Sequence, residues 1–94
     1  MLFMVAAYLK PGFEQQLITF RDELNEHFAQ ANLTLAGALR DTEGRKKGYL
    51  GFVEADSFEA AQRFVQQGPF FKEQLYERID IFKYEVEVGQ LASD

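Results

Sequence analysis

Asp56-Ser57-Phe58-Glu59-Ala60-Ala61-Gln62-Arg63-Phe64-Val65-Gln66-Gln67-Gly68-Pro69-Phe70-Phe71 reads as a complete helix with both of its ends written in. Asp56 is placed to cap the first turn, and Glu59, three residues on, to reach back and close a capping box. Gly68 offers a left-handed stop and Pro69, lacking an N–H, forbids continuation. The aromatic pair Phe70 and Phe71 follows directly. With this helix anchored, the segments on either side fall into register.

Upstream, Tyr49 to Ala55 reads as a strand leading into the helix, and the polar stretch Arg40 to Gly48, with Gly44 in it, as a loop. Leu33 to Leu39 has period two, with Leu33, Leu35, Gly37 and Leu39 on one side and Thr34, Ala36 and Ala38 on the other. Before it, Phe13, Leu17, Phe20, Leu24, Phe28 and Ala31 recur at spacings of three and four, an amphipathic helix stopped near Asn32. Leu2 to Leu9 is a continuous apolar run ended by Pro11-Gly12, as in a strand buried on both faces. Downstream, Pro69 to Tyr76 suits a short turn of helix, Arg78 to Val88 a last strand, and 89–94 a flexible tail.

The order is β-α-β-β-α-β, the split arrangement of ferredoxin-like α+β folds, in one domain over residues 1–88. Right-handed crossovers put both helices on one face of a four-stranded antiparallel sheet. The other face then needs a cover. Leu2, Met4, Ala6 and Tyr8 would lie on one side of the first strand and Phe3, Val5, Ala7 and Leu9 on the other; Leu50 and Phe52 would oppose Tyr49 and Val53. Each large side chain left in water forgoes about 1.5–3 kcal/mol of burial. Contiguous patches of this kind mark interfaces, and a second copy packed sheet to sheet is the economical cover. The expectation is a homodimer through the sheet face with a closed, barrel-like interior.

Composition narrows the function classes. The 94 residues carry a net charge of −5, which argues against nucleic acid and against anionic lipid. There is no cysteine, so thiolate chemistry and disulfides are excluded. The apolar start is too short for a membrane span and has no basic segment before it, so a cytoplasmic location is expected. No Gly-rich phosphate loop, Ser-His-Asp order or metal-ligand spacing is present, and no metal or cofactor is implied.

These residues in this order resemble the YCII-related family of dimeric α/β barrels. The resemblance runs from Met1-Leu2-Phe3 through Arg21 and Ala36-Gly37 to Asp56-Ser57-Phe58-Glu59-Ala60-Ala61, Pro69-Phe70 and Ile79-Asp80-Ile81. It implies a ligand pocket beside the sheet and, in members with assigned chemistry, acid–base work by a histidine assisted by an aspartate. The family's first helix commonly reads Arg-x-x-His, whereas here Arg21 is followed by Asp22, Glu23 and Leu24. Leucine cannot transfer a proton. The Ala-Gly-Pro step is altered to Ala36-Gly37-Ala38, and Gly68 stands where an aspartate precedes the later proline. Asp41 matches the aspartate that follows Ala-Gly-Pro in many members.

His27, the single histidine, is the natural acid–base candidate, or else a half-buried helix residue donating one hydrogen bond. Asp41 is either a catalytic carboxylate or a turn-former bonding its own backbone. Arg21 could grip an anionic group in two places or stay solvated. Arg40, Arg45, Lys46 and Lys47 could steer an anion or form a solvated loop. Tyr8 and Phe70, with Phe71, Tyr76 and Tyr84, could line an aromatic pocket or fill core and dimer contacts. Two readings stand. In one, a binding domain takes a small, partly apolar or aromatic ligand between the first helix and the sheet. In the other, a cofactor-free lyase or isomerase uses Asp41 or His27 for proton transfer while Arg21 orients the substrate. Leu24 favours the first. The discriminating geometry is whether His27 reaches Asp41 or touches only backbone.

Overall fold

The computed structural model describes residues 1–29 and 33–89; the expected helix stop at Asn32 and most of the expected tail lie outside them. The elements are β1 (Leu2–Leu9), α1 (Glu14–Thr19), α2 (Arg21–Ala29), β2 (Leu33–Arg40), β3 (Lys46–Glu54), α3 (Phe58–Gln66), α4 (Pro69–Lys72) and β4 (Tyr76–Lys83). The strands form one antiparallel sheet in the order β2-β3-β1-β4. This is the ferredoxin-like α+β fold.

Register divides the side chains between two faces. Val5 pairs with Gly51 and Ile81, and Ala7 with Tyr49 and Ile79. These residues face the helices, where Val5 and Val53 pack with Val65 of α3, and Leu9 packs with Leu24 of α2, Phe70 of α4 and Leu75. The alternate set pairs Met4 with Phe52 and Phe82, and Tyr8 with Gly48 and Arg78. Among the described residues no helix covers that second face. Leu35, Tyr8, Phe82 and Tyr84 are exposed on it, and Phe52 meets the Tyr84 ring edge-on at 5.0 Å. Strand β2 is an unpaired edge with Leu35, Ala36, Gly37 and Ala38 all exposed. Its backbone donors and acceptors are open to another strand.

Glycine is required in β3 at Gly48. A Cβ there would run into the Ala7 carbonyl oxygen and sit 3.2 Å from the Tyr8 Cα, both rigid backbone.

Five details depart from the sequence expectation. First, the helix expected from Phe13 to Ala31 is two helices, α1 and α2, meeting at Phe20, whose φ of −98° and ψ of 7° leave the helical well. The Thr19 hydroxyl donates to the Gln15 carbonyl at 2.9 Å, a back-bond that bends helices. The ladder still bridges the bend through the Phe20 N–H to Gln16 and the Leu24 N–H to Phe20.

Second, Ser57 rather than Asp56 caps α3: its hydroxyl accepts the Ala60 N–H at 3.1 Å. The cap thus falls one residue later than expected, and Glu59 stands at the second helical position, where it complements the helix dipole instead of closing a box.

Third, Gly68 is extended, with φ −73° and ψ 151°, and serves as the N-cap of α4 with Pro69 in its first turn. It is no left-handed stop; α3 ends at Gln67 in ordinary right-handed geometry. Fourth, β4 starts at Tyr76 and ends at Lys83, not Val88, because its partner β1 runs out: the Tyr84 N–H takes the Leu2 carbonyl, beyond which β1 offers no further acceptor. The β2–β3 loop is likewise shorter than expected, leaving only Asp41 to Arg45 between the strands. Among the described residues no helix is long and apolar enough to cross a membrane.

Candidate functional site

A cleft opens where α2 and α3 part over the sheet. Its cavity volume is about 40 Å³. That is room for roughly three waters, so a ring enters only if a wall side chain shifts. The walls are apolar: Leu24 and Phe28 from α2, Phe64 and Val65 from α3, and Val5 and Val53 from the sheet. His27, Tyr49 and Tyr76 are the residues with polar side chains among those that line it.

Leu24 is 2% exposed and belongs to the core. The helix spacing that makes it an apolar-face residue also aims it at the cleft floor. His27, three residues on, lies at the margin of that face. Its Nε2 is 2.8 Å from the Phe64 carbonyl oxygen. A carbonyl only accepts, so Nε2 carries the hydrogen. The imidazole also stacks on the Phe64 ring, with centroids 4.4 Å apart and planes 10° off parallel.

Local sequence explains the contact. Pro69 has no N–H for the Val65 carbonyl, and the Gly68 N–H fills that role at 3.1 Å. The Phe64 carbonyl is then left without a backbone donor among the described residues, and His27 supplies one. Gly68 makes space for the ring: a Cβ there would sit 3.3 Å from the His27 Cδ2.

Asp41 lies elsewhere, closing the β2–β3 loop. Its Oδ1 accepts the Glu43 and Arg45 N–H groups, both at 2.9 Å, and its Oδ2 accepts the Arg45 Nε at 3.1 Å. Lys47 is 3.9 Å from the same oxygen, and Arg45 also pairs with Glu43. The Arg45 backbone N–H, helped by that of Glu43 and by the Arg45 guanidinium, holds the Asp41 carboxyl below its ordinary value. A carboxylate so stabilised is a weak base. Its bonding is that of a turn-former. Among the described residues His27 and Asp41 share no hydrogen bond, and Asp41 is not among the residues that line the cleft.

The other candidates also diverge. Arg21 is exposed at the start of α2, with no ion-pair partner among the described residues. Tyr8 is on the open sheet face under the Arg78 guanidinium, 5.9 Å from its ring centre. Phe70 is fully buried, its ring against Tyr49 and Tyr76 at 5.8 and 6.1 Å. These residues do not converge on one site.

Tyr76 does reach the cleft; Phe28, Tyr49 and Phe64 were not singled out from sequence. Phe28 follows Leu24 by four residues and so shares its helical stripe, a signal that was available. Burial, with a smaller contribution from Tyr49, pushes the Tyr76 hydroxyl well above the ordinary tyrosine range, so it stays protonated and able to donate. Tyr49 accepts from the Lys46 ammonium at 3.3 Å.

No family model matches this sequence, and no curated protein matches it as a relative. Solved structures do match. The dehydrochlorinase of 5-chloro-2-hydroxyhydroquinone from Burkholderia phenoliruptrix AC1100, held in complex with 2,5-dihydroxybenzoquinone, superposes with a TM-score of 0.84 at 20% identity, covering 90% of this chain and 94% of its own. A putative antibiotic biosynthesis monooxygenase from Bacteriodes thetaiotaomicron VPI-5482 gives 0.61 at 13% identity, covering 100% and 95%. A conserved protein from Methanosarcina mazei Go1 gives 0.60 at 15% identity, covering 90% and 94%. At such identities the likeness is one of fold: this chain shares the ferredoxin-like α+β architecture of these proteins over nearly its whole length.

Proposed function

We propose that this chain is a dimeric, YCII-like domain of the cytoplasm that binds a compact, partly apolar or aromatic molecule in the cleft between α2, α3 and the sheet. The observation that carries the reading is the pairing of Leu24 with His27. Where the resemblance calls for an acid–base histidine, an apolar side chain faces the cleft. The one histidine present is bonded to backbone and stacked on Phe64. The reading assigns no proton transfer to Asp41 or His27. Tyr76 and Tyr49 give the ligand two hydroxyl groups to orient on, in an otherwise apolar wall.

The fold match to a protein that holds 2,5-dihydroxybenzoquinone supports a ligand of about that size, a single substituted ring. The dimer is supported by the exposed apolar face, with Leu35, Tyr8, Phe82 and Tyr84 on it, and by the open edge of β2.

The test is an amide-shift titration with benzyl alcohol, paired with thermal melts. Shifts concentrated at Leu24, His27, Phe28, Tyr49 and Phe64 are expected. At ten times Kd the fold gains about 1.4 kcal/mol by mass action. Unmoved melts and cleft amides at millimolar ligand would refute the binding reading.

A further inference from the structure

Positive charge in this acidic chain is not spread evenly. Five of its ten cationic side chains, Lys10, Arg40, Arg45, Lys46 and Lys47, line one groove between the β1–α1 loop and the β2–β3 loop, with Glu77 the one carboxylate among the described residues that line it. Asp41 and Glu43 at the rim neutralise Arg45 and, more loosely, Lys47. Arg40 donates to the Gly44 carbonyl at 2.8 Å, which leaves its charge uncompensated. Lys10, Arg40 and Lys46 have no carboxylate within ion-pair distance among the described residues. Clustered cations repel one another, and an anion relieves that repulsion.

Lys46 joins this groove to the apolar cleft. Its ammonium lies 3.3 Å from the Tyr49 hydroxyl and 5.2 Å from the centre of the Tyr49 ring, which forms part of the cleft wall. The Tyr49 hydroxyl, held by Lys46 as acceptor, has its own hydrogen free to donate. A ring between α2 and α3 that carries an acidic substituent would meet two donors at this boundary, one of them charged.

We infer that the cleft and the basic groove form one amphipathic site for an aromatic carboxylate or phenolate, its ring among Leu24, Phe28 and Phe64 and its anionic group at Lys46 and the Tyr49 hydroxyl. The inference rests on the binding reading above and adds the charge of the ligand.

The experiment compares benzoate with benzyl alcohol, nearly the same shape without the charge, by calorimetry and amide shifts at low ionic strength. Charge-assisted hydrogen bonds at a partly solvated site predict benzoate binding about tenfold tighter than benzyl alcohol. Lys46→Gln should abolish that preference, and circular-dichroism melts report that the variant is folded. Lys83→Gln, the same charge change on β4 away from the groove, should keep the preference. Equal affinities in the wild type, or a preference that survives Lys46→Gln, would overturn the anionic assignment while the cleft reading stands. Failure of both benzyl alcohol and benzoate to bind would remove both readings.

Discussion

Phe82→Ala should dissociate the proposed dimer without unfolding the protomer. In the single chain Phe82 is 58% exposed, on the sheet face that carries no helix. Burying a phenylalanine fully contributes about 1.5–3 kcal/mol, so covering the exposed part contributes roughly 1.5 kcal/mol. A two-fold interface contains each residue twice, which makes the loss about 3 kcal/mol per dimer, or two orders of magnitude in Kd. Leu35, 49% exposed on the same face at the far edge of the sheet, predicts a smaller loss of roughly 1 kcal/mol per copy. Within the protomer both positions are surface, so their substitution should change its stability by no more than about 0.5 kcal/mol. Sedimentation equilibrium from nanomolar to micromolar concentration measures the first effect, and circular-dichroism melts of the dilute, dissociated protein the second. Arg63→Ala, on the exposed side of α3, is the control and should alter neither. A wild-type protein that is monomeric at micromolar concentration, or a Phe82→Ala protein with the wild-type Kd, would refute the reasoning.

Four further outcomes follow from individual contacts. Ser57→Ala removes the α3 cap and should cost about 1 kcal/mol, lowering Tm by several degrees, while Asp56→Ala should leave Tm nearly unchanged. Gly48→Ala forces a methyl group against the Ala7 carbonyl and should destabilise by about 1–3 kcal/mol in urea titrations. Asp41→Asn should be less stable than wild type at neutral pH, and the gap should close in acid. The native Asp41 carboxyl sits below its ordinary value of 3.8, so its contribution is fully present above that pH and lost as pH falls through the lower folded value. His27→Ala orphans the Phe64 carbonyl at a cost of about 1–2 kcal/mol; Gly68→Ala displaces the same ring, so the double variant should lose less than the two single variants together.

The fold was legible because its signals are periodic and local. Alternation in Leu33–Leu39 and in Tyr49–Ala55, and the three-four spacing of Phe13, Leu17, Phe20, Leu24 and Phe28, each depend on one element burying one face. The core takes in Tyr49 and Val53 of the third strand and Phe13, Leu17, Phe20, Leu24 and Phe28 of the helical stripe, whereas Leu35 of β2 lies on the uncovered face. Element ends were less legible because neighbours set them. β4 stops where β1 has no more acceptors, and the helix bend at Phe20 comes with a Thr19 back-bond that no apolar pattern encodes. The cap fell on Ser57 because either residue can serve and the backbone decides between them: Ser57 is the one left extended before the first helical turn. The candidate site was only partly legible. Stripe position identifies residues that face inward, but it cannot separate Phe70, which is wholly enclosed, from Phe28, which borders the cleft.

The role of His27 shows why a list of chemically able residues falls short of a site. Nothing near it in sequence reveals its partner, which lies 37 residues away. The bond is set by Pro69, which donates nothing and so diverts the Gly68 N–H to Val65, leaving the Phe64 carbonyl to be satisfied from outside the helix. Gly68 then admits the imidazole by having no side chain. A fully buried carbonyl without a donor costs about 1–3 kcal/mol and the partly buried Phe64 carbonyl a share of that, so this fold holds the His27 N–H in a structural bond. For Nε2 to serve a ligand, that bond would first have to break. A ligand in the proposed site would be held at lower cost by groups that need not break such a bond, and among the cleft-lining residues those are the apolar walls and the tyrosines Tyr76 and Tyr49, the second of which accepts from Lys46 and keeps its own hydrogen to donate.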